Sequence, residues 1–265
     1  MLRDITLGQY FPGDTVVHRL DPRTKLILII AYIVGLFTVR SWPGYALVTA
    51  VTALCMLISK INPKAALRGL KPIIFIIILT ALLNIFYTDG TPIYEGSRIT
   101  WEGIEKAVMM SLRIILLIVS TFLLTYTTSP IALTDGMESL LSPLKKIKVP
   151  VHEMSMMMSM ALRFIPTLIE ETDKIMAAQK ARGADFETGG LMSRAKALLP
   201  VLVPLFTSSF RRADELAVAM ESRCYHGGEG RTRMKQLRLK GIDLAAFLLG
   251  AAFLAAVFIL KKVGL

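Results

Sequence analysis

The sequence predicts an all-α, polytopic membrane protein with about five transmembrane helices and a cytoplasmic domain of long amphipathic helices. Three observations lead there. Hydrophobic residues make up 54% of the 265-residue chain and charged residues 19%, a balance that suits a bilayer. The apolar residues gather in runs separated by short charged turns, and about 20 residues cross a hydrocarbon core. The remaining long stretch, residues 129–242, is amphipathic and holds seventeen Lys and Arg between Lys145 and Lys240.

Residues 1–25 are polar. They lack the apolar centre of a cleavable signal peptide and carry Asp4, Asp14 and Arg19, so insertion is expected to use the first true span. They end in Leu20-Asp21-Pro22-Arg23-Thr24-Lys25-Leu26. The first apolar run, 26–39, turns at Arg40-Ser41-Trp42-Pro43-Gly44, with Trp42 as an interfacial residue, and returns as 45–58. Both runs are short, and flanking Lys and Arg extend them by snorkelling. A loop with Lys60, Lys64, Arg68 and Lys71 leads to a third span at about 72–87. The next loop, 88–106, sets Asp89, Glu95, Glu102 and Glu105 against Arg98 and Lys106. A fourth span at 107–126 and a last one at 242–260 complete the set. The expected division is 1–128 for the N-terminal segment and four spans, 129–241 for a cytoplasmic domain of long amphipathic helices, and 242–265 for the C-terminal span.

Basic loops remain on the cytoplasmic side. The 60–71 loop, the N-terminus and residues 129–241 are therefore expected in the cytoplasm, and loop 88–106 and the C-terminus outside. Lys261 and Lys262 run against that rule, but they are two residues against many. Residues 129–242 read as three helices. The first starts at Thr128-Ser129-Pro130, a cap followed by Pro at the first turn, and breaks at Pro143. The second spans 151–182 and is expected to kink at Pro166. The third spans 191–223, with Pro200 and Pro204 near its front.

The net charge of +11 raises the question of nucleic acid, but no basic patch is interleaved with aromatic residues, so no nucleic-acid partner is expected. No phosphate-binding loop, H-E-x-x-H motif or metal-spaced Cys/His set occurs, and Gly189-Gly190 lacks the Lys-Ser/Thr of a nucleotide site. His18, His152 and His226 stand alone. The chain is expected to be no enzyme and to hold neither cofactor nor metal. Cys55 in a span and Cys224 in a cytoplasmic segment are not placed for a disulfide. Within the spans the ionisable and amide groups are few. Arg113, near a span end, reads as a snorkelling residue, and Asn84 is the strongest neutral polar group of the third span.

Two features remain. Methionines 154, 156, 157, 158 and 160 crowd one stretch. They fit a gap-filling core, or a surface that re-packs against several partners, with Met154, Met157 and Met158 as contact residues. The second feature is a repeat. Asp173-Lys-Ile175-Met-Ala-Ala178-Gln-Lys-Ala181-Arg182-Gly183 aligns with Asp214-Glu-Leu216-Ala-Val-Ala219-Met-Glu-Ser222-Arg223-Cys224. A cation in the last turn and a Gly after it can simply cap a helix. Capping does not require the same Asp, aliphatic and Ala positions upstream, so the repeat points to two similar receivers.

The Asp-Pro-Arg-x-Lys-Leu segment, the long cytoplasmic helices and the paired arginine ends resemble the T component of energy-coupling factor transporters over essentially the whole chain. The resemblance implies a scaffold in the cell membrane that binds two ABC-type ATPases through Ala181-Arg182-Gly183 and Ser222-Arg223-Cys224. It also implies a separate S component that binds a vitamin or a metal. Cys224 in place of Gly puts a glycine-only turn in doubt at the second end. The residues alone leave two other readings. One is a solute-conducting permease, of a conventional ABC transporter or a secondary carrier, the latter expected to show repeated interrupted spans. The other is an anchor whose helices lie on anionic lipid.

Overall fold

The computed structural model describes residues 10–92, 99–186, 190–228 and 237–263. Asp4, Glu95, Arg98, Gly189 and the basic residues between 231 and 235, on which part of the sequence reading rests, lie outside them. The helices in order are α1 (Val16–Arg19), α2 (Pro22–Thr38), α3 (Trp42–Ser59), α4 (Pro63–Leu70), α5 (Ile74–Tyr87), α6 (Trp101–Thr127), α7 (Pro130–Leu141), α8 (Val151–Ala181), α9 (Leu191–Glu221) and α10 (Gly241–Val263). Short 3-10 turns, Lys71–Ile73 and Ser142–Ile147, precede α5 and follow α7. Among the described residues the only β pairing is an isolated bridge between Pro92 and Thr100.

The protein is an all-α membrane protein. Helices α3, α6 and α10 are long and apolar enough to cross a bilayer, and Lys71–Tyr87 is a shorter apolar helix. At 17 residues, α2 stands at the lower limit of a spanning length. Three spans begin earlier than their apolar runs: α3 takes in Trp42-Pro43-Gly44, expected as a turn, because Pro43 suits a first helical turn, and α2 and α6 are capped ahead of their runs. Asp21 accepts a hydrogen bond from the Arg23 N–H at 2.9 Å with Pro22 in the first turn, so α2 starts before Leu26. Thr100 accepts one from the Gly103 N–H at 3.1 Å with Glu102 beside it, so α6 starts at Trp101. Ser129 caps α7 as the sequence indicates, accepting from the Ala132 N–H at 3.3 Å. Arg113 does more than reach for an interface. Its guanidinium donates to the Val39 carbonyl at 2.9 Å, at the C-cap of α2, and lies against the Phe37 and Tyr45 rings. Asn84 turns back on its own helix and donates to Thr80 O at 2.8 Å.

The described chain divides into two compact units, residues 10–139 with 237–263, and residues 140–228. The first has a core of Leu36, Val39, Tyr45, Val48, Leu116 and Val257. Lipid tails are as apolar as these side chains, so close packing rather than water exclusion joins helices in the bilayer. Small residues permit that approach. A Cβ on Gly35 would stand 2.9 Å from the Phe253 ring of α10, and Phe253 stacks on Tyr32 of α2 at 5.8 Å. A Cβ on Gly103 would stand 3.1 Å from the Asn84 and Ile85 carbonyl oxygens, so α6 meets the backbone of α5 there.

One end of this unit is tied by a polar knot around the Asp-Pro-Arg-x-Lys segment. The buried Lys25 ammonium donates to the Thr127 carbonyl at 2.7 Å and the Thr128 hydroxyl at 3.1 Å, at the end of α6. The Asp21 N–H donates to Asp243 Oδ1 at 2.8 Å, and Asp243 Oδ2 accepts from the Lys240 N–H at 2.7 Å, which caps α10. Arg23 donates to Leu237 O at 3.0 Å. Each charge is paired or bonded to backbone, which is what burial demands.

The second unit is built on α8 and α9. Phe164 lies beside Arg212, Glu171 accepts from Ser208 and pairs with Arg212 at 3.0 Å, and Gln179 donates to Pro200 O at 3.3 Å. Advancing along α8 means retreating along α9, so the two helices run antiparallel. The last contact has a local cause. Pro204 has no N–H to offer the carbonyl four residues back, and Gln179 takes up that carbonyl of Pro200.

Candidate functional site

Both copies of the repeat end in the same backbone turn. After α8, the Gly183 N–H donates to Lys180 O and the Ala184 N–H to Gln179 O, each at 3.0 Å. With Gly183 at φ +87°, this is a Schellman closure. After α9, the Cys224 N–H donates to Glu221 O at 2.9 Å and the Tyr225 N–H to Met220 O at 3.0 Å, with Cys224 at φ +56°. The register is the same residue for residue. Arg182 is the C-cap of α8, while α9 is capped by Ser222 one residue before Arg223, and the Arg182 and Arg223 N–H groups reach Gln179 O and Met220 O at 3.1 Å. The turn is therefore not glycine-only. Cys224 adopts the left-handed conformation at a cost of about 1–2 kcal/mol for a residue with a Cβ.

The side chains repeat as well. Ala181, Arg182, Gly183, Ser222, Arg223 and Cys224 are all exposed. Upstream, Asp173 and Asp214 are exposed and Ala178 and Ala219 are exposed, while the aligned pairs Ile175/Leu216 and Gln179/Met220 are half-buried. These two positions anchor each helix end, and the Asp and Ala positions face outward. Among the described residues neither arginine guanidinium has a hydrogen bond or ion pair. Nor does the cap need one, since backbone bonds close both turns and a terminal cation adds only about 0.3–1 kcal/mol. An always-charged, planar donor held at a small-residue tip is suited to carboxylates or carbonyls supplied from elsewhere.

The antiparallel contacts put Arg182 near the start of α9 and Arg223 near the start of α8. At about 1.5 Å per residue the two tips stand about 40 Å apart along the helix axes. One small receiver would not cover both.

Met154, Met157 and Met158 are exposed and occupy positions i, i+3 and i+4 of α8, so they share a face, while Met156 and Met160 are half-buried. The two readings of the methionine stretch thus fall on different faces of one helix. The structure adds a surface that sequence reasoning missed. Leu199, Leu202, Val203, Phe206 and Phe210 form one exposed stripe along α9, with Phe210 69% exposed. Its period was visible, but an amphipathic period does not reveal whether the apolar face is covered by the same chain. Among the described residues no three His, Cys, Asp or Glu side chains gather into a possible metal site.

A family model described as cobalt transport protein, CbiQ, matches residues 13–234. The chain is also similar to proteins named energy-coupling factor transporter transmembrane protein EcfT. It is 53% identical over 265 residues to that of Ruminiclostridium cellulolyticum, covering 99% of each chain. It is 57% identical over 249 residues to that of Thermosediminibacter oceani, covering 93% of this chain and 94% of the relative. To the Bacillus subtilis protein it is 47% identical over 270 residues, covering 98% of this chain and 100% of the relative.

Proposed function

Because this chain belongs to the family of energy-coupling factor transporter transmembrane proteins, we propose that it is the scaffold that couples two cytosolic ABC-type ATPases to a substrate-binding membrane S component during uptake of a vitamin or a metal. Residues 129–241 are the cytoplasmic coupling domain, the N-terminus shares that side, and the C-terminus lies outside. ATP is hydrolysed by the partners, and this chain transmits the movement.

The observation that carries the reading is the matched pair of helix ends. Each presents a small residue, an arginine and a left-handed turn in the same register, with exposed side chains, at opposite ends of one antiparallel pair. Two like ATPase subunits offer two like grooves, and a guanidinium in each groove makes a directional joint. When the ATPases move, α8 and α9 move as a tied pair through Glu171 and Arg212. The S component lies against the exposed Met154, Met157 and Met158 face and the exposed apolar stripe of α9.

Photo-crosslinking in the assembled transporter tests this assignment. A photoreactive side chain placed at Ala181 or at Ser222 should crosslink to an ATPase subunit, and one placed at Met157 to a small membrane protein. Crosslinks from Ala181 and Ser222 to lipid alone would reduce the repeat to a pair of helix caps.

A further inference from the structure

A cavity of about 420 Å³ lies among α1, α2, α3, α6 and α10, wholly within the membrane unit. Its wall is apolar, with Leu28, Leu54, Leu123, Leu249 and Phe253 prominent. The polar groups that reach it are bonded to protein. The Tyr32 and Thr52 hydroxyls are 2.6 Å apart, and Thr52 donates onward to Val48 O. Ser120 donates to Leu117 O, and Lys25 to Thr127 and Thr128. Water in such a space needs two to four polar partners, and this wall has none to spare. The occupant must be apolar.

Its length and its mouth narrow the choice. On α10 the lining runs from Ile242 to Phe253. That is about 16 Å along the axis, close to half of a hydrocarbon core roughly 30 Å thick. The cavity therefore has the reach of one leaflet. At the end of the cavity on the Lys60 side, the lining residues Leu20, Ile58 and Ile242 lie within two residues of the exposed cations Arg19, Lys60 and Lys240 in sequence. Of the carboxylates at that end, Asp14 forms an exposed ion pair with Arg19 at 4.0 Å and offsets one charge, while Asp21 and Asp243 are buried and occupied in capping α2 and α10, so the rim stays positive through Lys60 and Lys240. An apolar slot one leaflet deep beneath a cationic rim fits a molecule with a long hydrocarbon chain and an anionic head.

We propose that this cavity holds one acyl chain of an anionic phospholipid from the leaflet on the Lys60 side, with the phosphate against Arg19, Lys60 and Lys240. The site is separate from the arginine-tipped helix ends, and the proposal stands whether or not they dock ATPases.

Cys55 lines the cavity and is half-buried, and with Cys224→Ser it becomes the only thiol in the chain. The full chain carrying that change is reconstituted in phosphatidylcholine vesicles with and without phosphatidylglycerol, and its reaction with N-ethylmaleimide is timed. Phosphatidylglycerol should slow Cys55 labelling about tenfold, and Arg19→Gln, Lys60→Gln and Lys240→Gln together should abolish the difference. In parallel, native mass spectrometry of the detergent-extracted chain should show one retained phosphatidylglycerol, lost in Ala246→Phe, which fills the cavity. Should Ala246→Phe fail to fold, the labelling comparison still decides between occupied and empty, since it leaves the cavity intact. Equal labelling rates in the two vesicles overturn the proposal. So does a rate difference that survives the triple change, or protection of Cys55 that appears only when other transporter subunits are present, which would assign the cavity to a protein partner.

Discussion

Arg182 and Arg223 each stand one residue before a left-handed turn, which closes the helix end. The two turns achieve it with different residues. Gly183 adopts φ +87° without strain, and a Cβ there would meet nothing within 4 Å. Gly183→Ala should therefore cost about 1 kcal/mol through backbone conformation alone. Cys224→Gly should relieve a similar amount. Hydrogen exchange at the Ala184 and Tyr225 amides, which close the two caps, reads both effects. Faster exchange at Ala184 in Gly183→Ala and slower exchange at Tyr225 in Cys224→Gly are expected. Equal rates in variant and parent would mean that the turns carry no strain. The positions of both arginines were legible in the sequence, because a repeated Asp, aliphatic, Ala and Arg spacing survives without coordinates. The conformation of Cys224 was not, since nothing local to a cysteine favours positive φ and only the helix end around it requires that turn.

Helices α8 and α9 act as one element only if they are tied. Glu171 accepts from Ser208 and pairs with Arg212, both partners are largely shielded, and Arg212 Nη1 is buried without a partner of its own. Glu171→Ala would leave the guanidinium uncompensated at a cost of about 1–3 kcal/mol, visible as a lower thermal midpoint, and Glu171→Gln should cost less. The outward faces make a different prediction. Replacing Met154, Met157 and Met158 together by Ser should weaken retention of the S component while ATPase co-purification stays near the parent level. Unchanged retention and uptake in a folded variant would leave those methionines as lipid-facing filler. The extents of the long helices were legible from the glycines that follow them, in the joint 183–190 and at Gly227-Gly228. The span starts were less so. Capping by Asp21 and Thr100 carries α2 and α6 into polar sequence, where a hydropathy reading stops.

At the scale of the whole molecule, the membrane unit is closed by contacts between residues far apart in the chain. The Asp-Pro-Arg-x-Lys segment was recognisable, but its partner Asp243, 222 residues away from Asp21, was not. No periodicity links the two, and only the folded chain makes Asp243 a cap for one helix and an acceptor for another. The orientation of the chain in the membrane is open to a direct check. Labelling by a membrane-impermeant thiol reagent from outside should modify Asp89→Cys and spare Lys146→Cys, because basic segments remain in the cytoplasm. The reverse pattern would invert the protein and remove the arginine ends from the ATPases.

The coupling claim itself has a single most direct measurement: ATPase co-purification and substrate uptake, at matched membrane levels, for Arg182→Ala, Arg223→Ala and the double variant. With two contacts on one ATPase pair, loss of one leaves the other as a tether, and the effective concentration it provides masks part of the loss in assembly. Transmission has no such reserve. Each single change should lower uptake more than assembly, with a contact worth about 2–5 kcal/mol removed on one side, and the double change should abolish both. Parent-level assembly and uptake in the double alanine variant would contradict the account and leave Arg182 and Arg223 as helix caps.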